Sequence, residues 1–365
     1  MNEYKFNNLV GYIRGLKYLR RAVLKKSGTP LYLIFFITSK CNLRCKHCFY
    51  WKELNKEEKF LSLEEIQKIS LSMEDLPYLR LTGGEPSLRP DFPQIAEIFY
   101  KNNNLINLGI NTNGFFTEKI IAGVQQILEK CPDLNVDVCV SLDDTRKGHD
   151  NNRGVAGTYD NAVNTLLKLN KLREIYPKMK TVIGLDLNKS NQDRLALIFE
   201  EIKALDVSYI CDTVVRGDPK EPAIKDVKMS NYKTLNDLVG SYNIKRQHHA
   251  YFNINAKDKM VEEAVLKARV ENKWWGFNCT AGVNAGVIYA DGAVFPCEGR
   301  NEKIGNIRDY NYDFKELWNS EENQKIRETI KKGRCHCTHE NFITASIFSS
   351  PYALIKLLFK AFRDN

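Results

Sequence analysis

The stretch from residue 31 to residue 220 alternates between short apolar runs and amphipathic segments with helical periodicity, and this alternation restricts the fold more than any other feature. The first run, LYLIFFITS at residues 31–39, is apolar almost throughout, which is typical of a strand covered on both faces. About six strand–helix units follow one another in this way. Since such units pair their strands in parallel through right-handed crossovers, we predict an α/β protein with a doubly wound or barrel-like parallel sheet.

Polar and glycine-rich motifs come directly after four of the predicted strands. They occupy residues 41–48, 83–86, 111–114 and 141–144. The carboxyl ends of parallel strands form the edge at which α/β proteins place their active sites. The four motifs are therefore expected to line one common site.

Ten cysteines are many for a chain that begins without a secretory signal. We expect a reducing, cytoplasmic location in which disulfides are rare, so clustered cysteines indicate metal or redox chemistry. No stretch is long and apolar enough to predict a membrane span. The net charge of +9 leaves nucleic acid, an anionic membrane or an anionic substrate open as partners. Nucleic acid is the least favoured, because the sequence has no recognisable RNA-binding motif.

Three of the cysteines, Cys41, Cys45 and Cys48, lie within eight residues after the first predicted strand. Cysteine thiolates are the usual ligands of iron–sulfur clusters, and three of them leave the fourth iron of a cubane cluster without a protein ligand. An open coordination position distinguishes a reactive metal from a structural one. The alternative is a zinc site that takes a fourth ligand such as His47.

The C-x3-C-x2-C loop after the first strand, followed by GGEP after the second, resembles the radical S-adenosylmethionine (SAM) enzymes. The resemblance implies a partial (βα)6 TIM-like barrel in which Cys41, Cys45 and Cys48 hold a 4Fe–4S cluster and SAM chelates the open iron. In that family, one electron from a donor such as flavodoxin or ferredoxin cleaves SAM to methionine and a 5′-deoxyadenosyl radical. The radical then abstracts hydrogen from the substrate.

The resemblance also implies which residues form the SAM site, and for the polar candidates ordinary loop capping is the alternative. Gly83 and Gly84 let the backbone approach a ligand closely, and Glu85 is expected to accept a hydrogen bond from the amino group of SAM. His47 either stacks beside the adenine or faces solvent. The remaining candidates lie at the ends of later strands: Asn113, Ser141, Asp186, Asn188 and Arg216. Of these, Ser141 is expected to contact the ribose and Arg216 the SAM carboxylate.

A second cysteine set follows the βα region. Cys279 and Cys297 flank a predicted β-hairpin, and two more thiols return in a CHC sequence as Cys335 and Cys337. Four cysteines suit either a zinc site or a fully ligated cluster. The order of elements resembles the C-terminal SPASM and twitch domains of radical SAM enzymes. Together with the number of cysteines, it implies one auxiliary iron–sulfur cluster. His336 and His339 are alternative ligands.

Both ends of the chain are predicted to form basic amphipathic helices, at residues 4–26 and in YALIKLLFKAFR after Pro351. The tail is too short to span a bilayer. Each helix suits either contact with the inner face of an anionic membrane or packing on the barrel.

The predicted domain division has four parts: a helix at 1–30, the barrel at 31–228, the auxiliary-cluster domain at 229–340 and a tail helix at 341–365. The predicted function is that of a radical SAM enzyme acting on a small molecule, sugar or lipid, with the auxiliary cluster assisting electron transfer. Two alternatives stay open: a peptide-modifying radical SAM enzyme and a non-catalytic zinc-binding protein. Relatives that modify peptides often carry an N-terminal peptide-clasping domain, for which the segment before Leu31 is too short and too helical.

Overall fold

The computed structural model of the chain describes residues 16–24, 28–57, 59–246 and 254–363. Its centre is a sheet of six parallel strands in the spatial order β6-β5-β4-β3-β2-β1, which confirms the predicted α/β fold with a partial barrel. The six strands are β1 (Tyr32–Phe36), β2 (Tyr78–Thr82), β3 (Asn107–Thr112), β4 (Asn135–Ser141), β5 (Met179–Leu187) and β6 (Tyr209–Val214).

Helices follow the strands and cover the outer face of the sheet. The one after β1 is capped by Ser62, whose hydroxyl accepts from the Glu65 amide while the Glu65 carboxylate accepts from the Ser62 amide, a capping box. The helices are α1 (16–24), α2 (Leu63–Ser72), α3 (Phe92–Asn102), α4 (Thr117–Lys130), α5 (Arg146–Arg153), α6 (Thr158–Ile175), α7 (Leu195–Lys203), α8 (Met229–Arg246), α9 (Ile254–Val270), α10 (Phe314–Trp318), α11 (Glu321–Lys332), α12 (Glu340–Ser349) and α13 (Pro351–Arg363).

The two faces of the sheet differ in polarity because side chains alternate along each strand. In β2, Leu79 and Leu81 are fully buried on the outer face, against the helices. Tyr78, Arg80 and Thr82 alternate with them and are only partly buried. The outer face therefore holds the apolar core, and the interior of the barrel is polar.

A hairpin from the C-terminal region extends the same sheet. β7 (Ala285–Ile288) pairs in parallel with β1, and β8 (Ala293–Phe295) and β9 (Gly305–Asn306) follow in antiparallel order. Gly286 in β7 leaves room for the buried Trp318 ring, since a Cβ atom there would lie 2.3 Å from it. The predicted hairpin is present, but its pairing with β1 was not foreseen. The division into domains stays a prediction.

The side chain of Asn284 links α1 to the end of α12. The side-chain amide of Asn284 donates to the Ala22 carbonyl in α1 at 2.8 Å and to the Ser349 hydroxyl at the end of α12 at 3.1 Å. The predicted N-terminal helix begins at residue 4, so its first part lies outside the described residues. Within the described ranges, no single helix is long and apolar enough to cross a membrane. The pair α12 and α13, bent by 98°, meets the criterion only when taken together.

Candidate active site

The loop that carries the first three cysteines is held from two sides. The Cys41 amide donates to the Asn55 side-chain oxygen at 2.9 Å, and the Asn55 amide group returns a bond to the Cys41 carbonyl at 3.1 Å. Farther along the loop, the Arg44 and Lys46 amides donate to carbonyls in the last turn of α5, at 3.0 and 2.9 Å. The loop therefore has a fixed path between the end of β1 and the end of α5.

Cys41, Cys45 and Cys48 line one side of a cavity of about 250 Å³ at the carboxyl edge of the strands. Burial raises the pKa of Cys41 and of Cys48 to about 12 and also raises that of Cys45. Thiolates are thus costly here unless a metal binds them. All ten cysteines are free thiols.

The arrangement of these thiols fits a multinuclear cluster. Among the described residues, no three His, Cys, Asp or Glu side chains converge closely enough to hold one metal ion. A cubane cluster bonds each thiolate to a different iron, so its ligands need not converge on one point. Three thiols facing a shared cavity therefore suit a cluster whose remaining iron is open to a ligand.

A buried ion pair stands beside the cysteine loop. Nη2 of Arg153 lies 2.6 Å from Oδ2 of Asp143, and its Nη1 lies 3.8 Å from the Cys45 sulfur. Burial alone would raise the pKa of Asp143, but Arg153, together with His47, His149 and the Asp186 amide, outweighs it and holds that pKa below its usual value. We did not predict Arg153 as a site residue. The Arg-Gly pair was the available signal, since Gly154 has φ +74° and a Cβ atom there would lie 3.0 Å from the Arg44 carbonyl.

The GGEP turn packs directly against the strand end that leads to the cysteines. A Cβ atom on Gly83 would lie 2.3 Å from the Thr38 carbonyl oxygen, and one on Gly84 would lie 2.2 Å from that of Lys40. The Gly84 and Glu85 amides donate to the same two carbonyls, both at 2.8 Å. Only glycine permits this approach, which explains the two glycines and brings both loops to one cavity.

The Glu85 carboxylate is bonded within the protein. It is fully buried and does not line the cavity. Its oxygens accept from the Ser87 amide and hydroxyl at 3.1 and 2.7 Å, from the Thr112 hydroxyl at 2.7 Å and from the Asn113 amide at 2.7 Å. Through these bonds the carboxylate fixes the turn to the end of β3, and its contact with the amino group of SAM stays a prediction.

Seven of the nine predicted SAM-site residues line the cavity: His47, Gly83, Gly84, Asn113, Ser141, Asp186 and Arg216. Besides Glu85, the exception is Asn188. It is fully buried, and its Oδ1 accepts from the Ser190 amide at 2.9 Å and from the Ser190 hydroxyl at 2.6 Å. Asn188 thus caps the turn after β5, which is the alternative that the sequence left open.

His47 is buried between two polar partners. Its Nδ1 lies 3.0 Å from Nδ2 of Asn152, and its Nε2 lies 3.6 Å from Oδ2 of Asp186. Only 8% of the residue is exposed, which rules out the solvent-facing alternative.

A charged network connects the cavity with the C-terminal region. Arg216 lies 3.6 Å from Glu298 and 3.4 Å from Glu340. Nε2 of His339 bonds to the Glu298 carboxylate. Burial raises the pKa of Glu340 to about 7 and lowers that of His339 to about 4. Sequence reasoning missed both glutamates, although Glu298 directly follows Cys297.

The second cysteine set is gathered from three segments. Cys279 precedes the β7–β8 hairpin, Cys297 follows it, and Cys335 and Cys337 come after α11. Cys335 and Cys337 both interact electrostatically with Cys279 and Cys297. A hydrogen bond with Cys279 lowers the pKa of Cys335 to about 6, whereas burial raises that of Cys297 to about 12. The four thiols thus lie together, apart from the cavity lining.

The two histidines considered as alternative ligands are engaged elsewhere. His336 Nδ1 lies 2.9 Å from the Arg334 carbonyl and its Nε2 lies 3.3 Å from Oδ1 of Asn272. His339 uses Nε2 for Glu298, so Nδ1 is its remaining nitrogen.

Comparisons with known proteins agree with this geometry. Residues 35–199 match the radical SAM superfamily, and residues 279–338 match SPASM, an iron–sulfur cluster-binding domain. The chain is 27% identical over 363 residues to the AdoMet-dependent heme synthase of Methanosarcina barkeri (strain Fusaro / DSM 804), covering 91% of this chain and 95% of that protein. It is 25% identical over 306 residues to the Fe-coproporphyrin III synthase of the same strain, covering 78% and 73%.

Among solved structures, the fold is similar to native anSMEcpe with bound AdoMet and Cp18Cys peptide. The TM-score is 0.60 at 19% identity, covering 92% of this chain and 100% of that one. At this identity the likeness shows the fold alone. The family matches and the site together establish that this chain is an enzyme of the radical SAM superfamily with a C-terminal SPASM iron–sulfur domain.

Proposed function

We propose that the chain cleaves SAM reductively at a 4Fe–4S cluster on Cys41, Cys45 and Cys48 and uses the product to abstract hydrogen from a small molecule, sugar or lipid. The observation that carries this proposal is the position of the three thiols on the wall of the same cavity as the GGEP turn. When bound, the cluster and SAM supply the one-electron chemistry. The relative named a heme synthase supports a small-molecule substrate and adds tetrapyrroles to the candidates.

The protein's own contribution is to position the cluster and SAM. Gly83 and Gly84 let the GGEP turn pack against the segment that leads to the cysteines, and Ser141 and Asn113 offer hydrogen-bonding groups on the cavity wall. The buried Arg153 guanidinium places positive charge beside Cys45, where it offsets the negative charge of a thiolate. These groups are fixed before any ligand arrives, which reduces the cost of ordering the reactants.

We also propose one auxiliary cluster on Cys279, Cys297, Cys335 and Cys337, assisting electron transfer. The network of Arg216, Glu298 and His339 supports a role coupled to the cavity, because it connects the cavity wall with the segments that carry these cysteines. The first electron would come from a donor such as flavodoxin or ferredoxin.

The decisive experiment is anaerobic incubation of the reconstituted protein with SAM, dithionite and candidate substrates. We expect iron with sulfide in the protein and release of 5′-deoxyadenosine. Deuterium transferred from one candidate into that product would identify the substrate class. Zinc without sulfide would contradict the enzymatic proposal, and deuterium transfer only from a peptide would favour the peptide-modifying alternative.

We infer further that the enzyme works at the cytoplasmic face of the membrane. Residues 1–30 hold seven Lys or Arg against one acid, and residues 351–365 hold three against one, so these ends carry +8 of the net +9. Asn284 holds the two terminal regions together. Their exposed apolar side chains include Leu16, Leu24, Ile355 and Phe359. Apolar side chains flanked by cations suit an anionic bilayer surface.

Vesicle cosedimentation tests this location. We expect binding to vesicles of phosphatidylglycerol with phosphatidylcholine, and weaker binding to phosphatidylcholine alone. Replacing Ile355 and Phe359 by Glu should lower the binding about tenfold, because it removes apolar area that the bilayer would otherwise bury. The control Leu197→Glu alters an exposed leucine on α7 and should have no effect. Equal binding by both variants would contradict the inference.

A further inference from the structure

Three arginines line the cavity, and they differ in how their charges are balanced. Arg153 pairs with Asp143, and Arg216 pairs with Glu298 and Glu340. Within the part of the chain that the structure describes, the hydrogen bonds of Arg80 go to neutral groups. Its Nη1 donates to Oδ1 of Asn111 at 2.7 Å and its Nη2 to the Tyr78 hydroxyl at 2.9 Å.

The Arg80 guanidinium is oriented but its charge is not neutralised. Its Nε is buried without a hydrogen-bond partner among the described residues. Burial alone would raise the pKa of Glu298, and Arg80 is among the charges that lower it, but this carboxylate bonds to His339 and pairs with Arg216 instead. A cation that is largely withdrawn from water and has no counterion is costly, so this position favours an anionic ligand.

The space around Arg80 is kept open by small residues. A Cβ atom on Gly109 would lie 3.1 Å from the Arg80 Cζ, so the glycine leaves room for the guanidinium. Three further small residues of the neighbouring strands line the same cavity: Cys139, Gly184 and Cys211. These small, neutral residues form the part of the cavity wall near Arg80.

We propose that Arg80 binds an anionic group of the substrate, a carboxylate or a phosphate. This inference rests on the proposed function, because it assigns part of the cavity to the substrate. The SAM carboxylate has other candidate cations: Arg216, which the sequence predicts for it, and Arg153, whose Nη1 lies 3.8 Å from the Cys45 sulfur. Arg80 comes three residues before Gly83, about 10 Å back towards the amino end of β2 and away from the edge that carries the cysteines. A guanidinium suits either anion because it can donate two parallel hydrogen bonds.

Calorimetric titration of the anaerobic, SAM-loaded holoenzyme tests the proposal. The probes are benzoate, its neutral analogue benzamide, and inorganic phosphate. We expect benzoate or phosphate to bind at least about tenfold more tightly than benzamide, and Arg80→Met to remove that preference. Arg80→Lys keeps the charge but loses the paired donors, and should retain part of the preference. Lys130→Met removes a surface cation and is the matched control.

The outcomes separate the sources of the anion. Preference for benzoate or for phosphate identifies which group Arg80 accepts. If neither benzoate nor phosphate binds the unaltered protein more tightly than benzamide, or if the preference is unchanged in Arg80→Met, the inference is overturned. A loss of SAM affinity in Arg80→Met equal to the loss of benzoate affinity would also overturn it, since the anion would then be that of SAM. Failure to release 5′-deoxyadenosine would count against the proposed function alone.

Discussion

The two cysteine sets have a similar contact in different surroundings. In each, an arginine Nη1 lies 3.8 Å from one sulfur: Arg153 from Cys45, and Arg300 from Cys335. Arg153 is buried and held by a fully buried Asp143. Arg300 is more exposed and pairs with Glu302, whose side chain is 49% exposed. The same contact should therefore matter more at the first set, because charges interact more strongly where water is excluded.

Removing a cysteine from either set should give the largest effect and should separate the roles of the sets. We expect Cys45→Ala to reduce 5′-deoxyadenosine release to background, since one ligand of the reactive cluster is lost. Cys297→Ala should lower the iron content and stop product formation from a substrate. Cys131→Ala, at a buried cysteine outside both sets, should leave the iron content unchanged. Equal loss in all three variants would contradict any division of roles between the sets.

Breaking the two ion pairs should affect stability unequally. Asp143→Asn leaves the buried Arg153 without its partner and should cost about 3–5 kcal/mol of unfolding free energy. Glu302→Gln removes an exposed partner and should cost less than about 1 kcal/mol. Urea unfolding of both variants measures the difference. Similar costs would mean that burial does not distinguish the two arginines.

Replacing each arginine by methionine tests the electrostatic difference between the two sets. Arg153→Met should lower the rate of SAM cleavage about ten- to a hundredfold and make the first cluster harder to reduce, because a positive charge near its thiolate is lost. Arg300→Met should change that rate by less than about threefold. Redox titration followed by electron paramagnetic resonance provides the readout. A potential that is unchanged in Arg153→Met would contradict the expectation.

A smaller effect concerns the contact between the two regions. Glu65 in α2 accepts from Arg308 at 3.0 Å and from the Tyr312 hydroxyl at 2.8 Å. Burial alone would raise the pKa of Glu65, but these donors and the Ser62 amide lower it to about 2. A lowered folded-state pKa stabilises the protein above the unfolded value, and this effect is lost as pH falls towards 2.

Glu65→Gln should therefore cost about 1–2 kcal/mol at neutral pH, and the difference from the unaltered protein should shrink at pH 3. Glu64→Gln changes an exposed neighbour on the same helix and is the control. Urea unfolding at the two pH values makes the measurement. A cost that does not change with pH would mean that the charge of Glu65 is not involved.

Local features were predictable from the sequence, and long-range ones were not. The parallel strands, the capping box at Ser62 and the hairpin follow from periodicity and local chemistry. The buried Glu85 carboxylate is satisfied by donors such as the Ser87 and Thr112 hydroxyls. Thr112 lies in β3, 27 residues farther along the chain, and no local sequence pattern reveals its contact with Glu85. The pairing of β7 with β1 joins residues about 250 positions apart, and sequence periodicity carries no information on such a register.

The parallel pairing of β7 with β1 has a consequence for shortened forms of the protein. β1 would be the outermost strand of the six-stranded sheet if β7 were absent. A fragment ending after β6 would then present unpaired amides and carbonyls next to the apolar residues Leu33 and Phe35. An unpaired edge strand of this kind pairs readily with other chains, so we expect the fragment to self-associate rather than remain monomeric.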